Sequence, residues 1–156
     1  MVVWVGGLIF FAFVEAPTAF RVMGTTRQFA QIIGDSVSEL DRMGQVCGFI
    51  FLIATAMVWL RAWRRRRWIL VTQIVLVVLM IGATMVVQAG ILPAMERDRI
   101  AAGGDITAAP ATNPARLDFE RLHPLSEKVE GTALFLGLGV ILVMAAEPSG
   151  ERRYSS

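Results

Sequence analysis

The chain carries one cysteine, Cys47, and one histidine, His123, in 156 residues. A single cysteine excludes an intrachain disulfide and any Cys-x-x-Cys metal motif. A single histidine excludes bis-histidine haem ligation within one chain, so a haem- or cofactor-binding membrane subunit would need a dimer axis to complete its ligand set. Catalytic signatures are missing as well: there is no P-loop, no His-Glu-x-x-His, no serine-nucleophile motif and no evident protease dyad. The expectation is a protein that is not an enzyme. The positively charged segment that opens an ordinary signal peptide is lacking too, and the first apolar run begins at Met1 or close to it. Either the amino terminus serves as an inner anchor, or the true start lies upstream.

What the chain has in quantity is apolar sequence. It is 55% hydrophobic with a mean hydropathy of +0.59, against about 45–50% apolar for a soluble domain. The runs are Met1–Phe20, Gly44–Leu60, Trp68–Leu92 and Gly131–Ala146. About 17–25 apolar residues cross a bilayer core as a helix. The fold class read from this is all-α, an integral membrane four-helix bundle forming one transmembrane domain over residues 1–156, with helices at about 1–20, 36–62, 68–92 and 125–146.

Charge placement gives the topology. Arg61, Arg64, Arg65, Arg66 and Arg67 lie between the second and third runs. Burying one arginine at a helix centre costs roughly 2.5–3.5 kcal/mol, so the cluster belongs in a tight inner loop under the positive-inside rule. Both termini then face the cytoplasm, in agreement with Arg152 and Arg153, and the connections Gly24–Met43 and Pro93–Lys128 face outward. Trp4, Trp59, Trp63 and Trp68 are expected at the inner interface, where indoles prefer to lie. The arginine run reads as topology and anionic-lipid contact rather than nucleic-acid binding. The partner is the lipid bilayer, and the style of the chain suggests a bacterial inner membrane.

Local signals follow. Thr25-Thr26 could cap a short helix that Gly34 interrupts, and Ser36 with Glu39 has the form of a capping box. Gly44-x-x-x-Gly48 lets two helix backbones approach, inside the bundle or across a homo-oligomer interface. Thr72, Gln73, Thr84 and Gln88 should face neighbouring helices. Pro93 marks a kink or a helix end. Ala101–Ala115 reads as a flexible outer loop, with the stretch of about 100–113 lacking periodicity. Asn113-Pro114 looks like a helix start, with a turn or two of polar helix before His123-Pro124 and an Asp118–Arg121 pair along it.

Two sets of residues are candidates for chemistry. Glu15, Gln88, His123, Ser126 and Glu130 are polar groups in or near apolar runs, and His123, Ser126 and Glu130 share one helical face. They fit either a hydrogen-bonded docking cluster or a proton, metal or small-solute site at the outer mouth of the bundle. Met43, Cys47, Met95 and His123 offer thioether, thiolate and imidazole, ligands that suit Cu(I), if four segments converge.

The opening Trp4-Val-Gly-Gly-Leu-Ile-Phe-Phe-Ala-Phe-Val-Glu-Ala-Pro17-Thr-Ala-Phe20, and the later Phe119-Glu-Arg-Leu122-His123-Pro-Leu-Ser126, resemble the transmembrane protein 205 family, whose bacterial relatives carry a domain of unknown function. The resemblance implies a four-helix integral membrane protein without established enzymatic activity, and a family motif of Pro17, Phe20, Leu122, His123 and Ser126. The chain departs from the family pattern at Glu15, Pro124 and Glu130. The expected function is therefore a non-catalytic membrane protein of this type. Alternatives are a copper or small-solute transport or resistance component, and a cofactor-binding subunit.

Overall fold

The computed structural model describes residues 1–24, 27–61 and 64–146. Thr25, Thr26, Trp63, Arg152, Arg153 and the side chains of Arg64, Arg65 and Arg66 lie outside the described residues. Within them the chain is helical, and four helices are long and apolar enough to cross a membrane. Here α1 is Val2–Met23 and α2 is Arg27–Trp59. The third helix, α3, starts as Arg64–Val86 and continues through Val87–Ile91 into Leu92–Ala101. The fourth, α4, is Pro114–Ala145.

Side-chain contacts fix the directions. Trp4 lies on Gly44 and Leu40 covers Gly7, while the rings of Phe20 and Phe29 meet edge to face at 5.8 Å, so α1 and α2 are antiparallel. Gln45 reaches Thr84, Ile81 covers Gly48 and Gln88 reaches Ser38, so α2 and α3 are antiparallel. Met80 packs at Gly137 and Leu76 at Gly139, which makes α4 antiparallel to α3 and parallel to α2. The result is an up-down-up-down bundle.

Its core joins three helices: Trp4, Val5 and Leu8 of α1, Val77, Met80 and Ile81 of α3, and Ala133 and Val140 of α4. Lipid is as apolar as these side chains, so close approach at small residues, rather than exclusion from water, holds such a contact together. Gly44, Gly48 and Gly137 provide that approach. A Cβ at Gly44 would fall within the Trp4 indole, and one at Gly137 would meet Val5 and Met80. Val87, Ile91 and Met95 form a second cluster against Phe119, Leu122 and Val129 in the outer half of α3 and α4.

Two expectations change here. Trp4 is 1% exposed, a core residue at the level of Gly44 rather than part of an interfacial belt. The glycine pair packs inside the bundle, the first of its two alternatives, against Trp4 and Ile81 of the same chain. The helices also outrun their apolar segments. The second passes through Gly34 and the Ser36–Glu39 stretch without a break, because one glycine costs only about 1 kcal/mol in a helix. Glu39 pairs with Arg42 at 2.6 Å instead of capping.

Proline produces a local change of winding. Pro17 and Pro93 cannot donate to a carbonyl four residues back. Each follows a single π-helical turn, Phe11–Glu15 and Val87–Ile91, which widens the backbone so that the helix continues, at Pro93 in place of the kink or end that was expected. Pro124 sits inside α4 without ending it.

The connection after α3 is stitched rather than loose. Gly103 and Gly104 adopt positive φ and cap the helix through Ile100 and Arg99 carbonyls. The Asp105 carboxylate accepts from the Thr107 hydroxyl at 2.7 Å and from its N–H at 2.9 Å, and these bonds hold its carboxyl below the usual range. Arg116 donates to the Ala109 carbonyl at 2.7 Å. Asn113 then caps α4, its side chain accepting from the Ala115 N–H at 2.9 Å with Pro114 in the first turn, as expected.

Candidate functional site

Polar groups on α2, α3 and α4 meet at one level, where the sequence places Gln88 within an apolar run and Glu130 at the edge of one. The register brings Asp41 of α2 beside both. Asp41 is 0% exposed, and its carboxyl interacts directly with that of Glu130 and with the Gln88 amide. The Gln88 Nε2 donates to the Ser38 carbonyl at 3.2 Å. Gln88 stands in the π turn, and the extra backbone width there carries its amide across to α2. Although the amide lies close to Asp41, all four carboxyl oxygens of Asp41 and Glu130 are buried without a well-formed hydrogen bond from a described residue. One turn along α2 from Asp41, over Gly44, the Trp4 Nε1–H is likewise buried and unpartnered.

Below this pair the buried polar residues continue along the seam between α2 and α3. Gln45 donates to the Thr84 hydroxyl at 3.3 Å, and that hydroxyl donates to the Ile81 carbonyl at 3.0 Å. Thr55 and Gln73, both buried, fall at one level in the same register, nearer the arginine end. Between these two polar rungs lies the apolar layer of Val77, Ile81 and Gly48. The expectation that Gln73, Thr84 and Gln88 face neighbouring helices holds. Thr72 is exposed, and its hydroxyl returns to the Trp68 carbonyl at 3.1 Å.

The remaining candidates are scattered. His123 is exposed, with Nε2 at 3.7 Å from Glu127 of the next turn and its ring tilted against Phe119. Ser126 donates to the His123 carbonyl at 2.8 Å. Although His123, Ser126 and Glu130 share a stripe of α4, only Glu130 turns into the bundle. Glu15 lines an open groove between α1 and α2 with Glu39, Arg42 and Met43. The four sulfur and imidazole candidates do not converge. Met43 is half-exposed in that groove, Met95 is buried on Phe119 and Leu122, Cys47 is a half-buried free thiol and His123 faces out. Among the described residues no group of three or more His, Cys, Asp and Glu side chains is placed to hold a metal. Of the motif residues, Pro17 is exposed, Phe20 packs on Phe29 and Leu122 joins the second cluster.

Asp41 is the residue that sequence reasoning missed. Its stretch, Ser36 to Arg42, is polar apart from Val37 and Leu40, so its charge reads as surface. The available signal was helical phase. Asp41, Gly44, Gly48 and Thr55 recur at intervals of three, four and seven, and all four are buried.

A family model described as a domain of unknown function, DUF4149, matches residues 1–100, a stretch that includes Asp41 and Gln88 and ends before Glu130. No curated protein and no solved structure matches the chain.

Proposed function

The chain belongs to the DUF4149 family, and from that premise we propose that it is a non-catalytic integral membrane protein that binds a cation or small polar solute in its bundle and passes it between helices. The observation that carries this reading is the Asp41–Glu130 pair, two acids buried without hydrogen bonds in helices able to span a membrane. Ionisable groups buried in membrane-spanning helices are costly and mark ion or proton pathways by default. The polar rungs along α2 and α3 supply the rest of a path, with the apolar layer as its closed point. The reading moves the transport alternative away from the copper set, whose members point apart, to the carboxyl pair.

The finer placement is in the bacterial inner membrane, similar to the transmembrane protein 205 family, with both termini cytoplasmic. The arginine cluster between α2 and α3 supports that orientation. In a Cys47→Ser background, an impermeant maleimide should label Thr107→Cys in intact cells and leave Arg61→Cys unlabelled. The reverse pattern would invert the topology. For function, proteoliposomes holding the full chain should dissipate an imposed proton or monovalent-cation gradient faster than vesicles holding Asp41→Asn/Glu130→Gln. Equal rates, at or near those of empty vesicles, would sink the transport reading.

A further inference from the structure

We infer that Asp41 and Glu130 form a proton-binding site, in which one proton is shared between the two carboxyls and water completes the hydrogen bonds that the helices leave open. The inference rests on the reading of the pair as a functional site and names its ligand. Two carboxylates facing each other repel unless something positive lies between them.

Among the described residues no cationic side chain fills that place. On α2, Arg42 is exposed and paired with Glu39. Next along α3, beyond the Met95 cluster, come Glu96, Arg97, Asp98 and Arg99: Glu96 and Arg99 pair with each other, and the exposed Arg97 donates to the Pro93 carbonyl. On α4, Glu127 and Lys128 are exposed. Glu15, the acid of α1, stands in the outer groove. Calcium takes six to eight oxygens, and two carboxyls with one amide provide too few. A proton needs only two oxygens.

The proton enters from water, forms an O–H bond on one carboxyl and is donated to the oxygen of the other. A second observation points the same way. The Trp4 indole N–H, 1% exposed and unpartnered, lies one turn from Asp41. A donor and four acceptor oxygens left open on one face of α2 are the partners a buried water requires, since such waters typically make about three hydrogen bonds. Towards the arginine end the proton would next meet Gln45 and Thr84, and then the apolar layer, so the site as it stands is closed on that side.

Infrared spectroscopy of the full chain in lipid nanodiscs tests this, because a protonated carboxyl has a C=O stretch that a carboxylate lacks. The expected result is one such band from a buried carboxyl, shifted in D2O and unchanged by sodium, potassium or calcium. It should be lost in both Asp41→Asn and Glu130→Gln and retained in Glu15→Gln. A wild-type spectrum without the band, or a band lost in Glu15→Gln, overturns the assignment. If the band is absent but one of those salts raises the melting temperature of the wild type and not of Glu130→Gln, the cation-site reading stands and the proton assignment falls. If neither signal appears, both fall. Glutamine and asparagine keep the shape of the acids, and unchanged elution and melting in detergent establish that each variant is folded.

Discussion

Gly44 shows how much one missing methyl group can decide. The indole of Trp4 occupies the place where its Cβ would stand, so Gly44→Ala must push the largest fully buried side chain of the bundle out of its seat. Overpacking of this kind costs about 1–3 kcal/mol, and the variant should melt at lower temperature in detergent while Gly82→Ala, with open space around it, should not. Equal melting of the two would mean that Trp4 does not rest on α2. At this scale the sequence is legible where a residue contradicts its surroundings. Gln88 is polar within an apolar run and Glu130 at the edge of one, and both are therefore visible as candidates. Asp41 is polar in a polar run, and only its phase with Gly44 and Gly48 reveals it. His123 attracts notice for being the only histidine, yet scarcity carries no information about direction, and the side chain faces out.

Among the elements, α4 contains an internal strain that can be relieved. Pro124 is exposed and has no N–H for the Glu120 carbonyl, and an interior proline costs roughly 3 kcal/mol. Pro124→Ala should therefore raise the melting temperature and slow amide exchange from residue 120 to residue 128, with a gain of at most about 3 kcal/mol. A loss of stability would show that the proline shapes a bend the bundle needs. The ends of helices were legible where side-chain chemistry sets them, as at Asn113-Pro114. They were not legible where a glycine, a capping-box pattern or a proline suggests a stop and the helix continues. Gly34, Ser36–Glu39, Pro93 and Pro124 are all of this kind. At Gly34 and Ser36–Glu39 a continuous hydrogen-bonded ladder outweighs a local preference of about 1 kcal/mol, and at the two prolines the intact turns on either side carry the helix across the missing bond.

The whole molecule is longer than a bilayer is thick. The 33 residues of α2 make a rod of about 50 Å, while the hydrocarbon core is about 30 Å. Asp41 stands about 27 Å from Trp59 along α2, close to the thickness of that core. A nitroxide at Gln31 should then be reached by a water-soluble relaxant and one at Ile53 by oxygen in the lipid, both being exposed positions. Equal oxygen access at the two sites would contradict this depth. The apolar runs announced four spans but not these projecting ends, because hydropathy registers lipid contact and the outer halves of α2 and α4 and the last turns of α3 are polar. One element ties the projecting part to the embedded part. The π turn of α3 holds more residues than the α turn it replaces, so the two halves of that helix are two rods keyed at a set angle. Losing one residue between Val87 and Ile91 would return the segment to an ordinary α turn, which covers nearly the same rotation in one residue fewer, so Met95 would keep its place on Phe119 and Leu122 while Gln88 lost the widened turn on which it stands. A change of length here would therefore spare the outer rod and fall on the polar site.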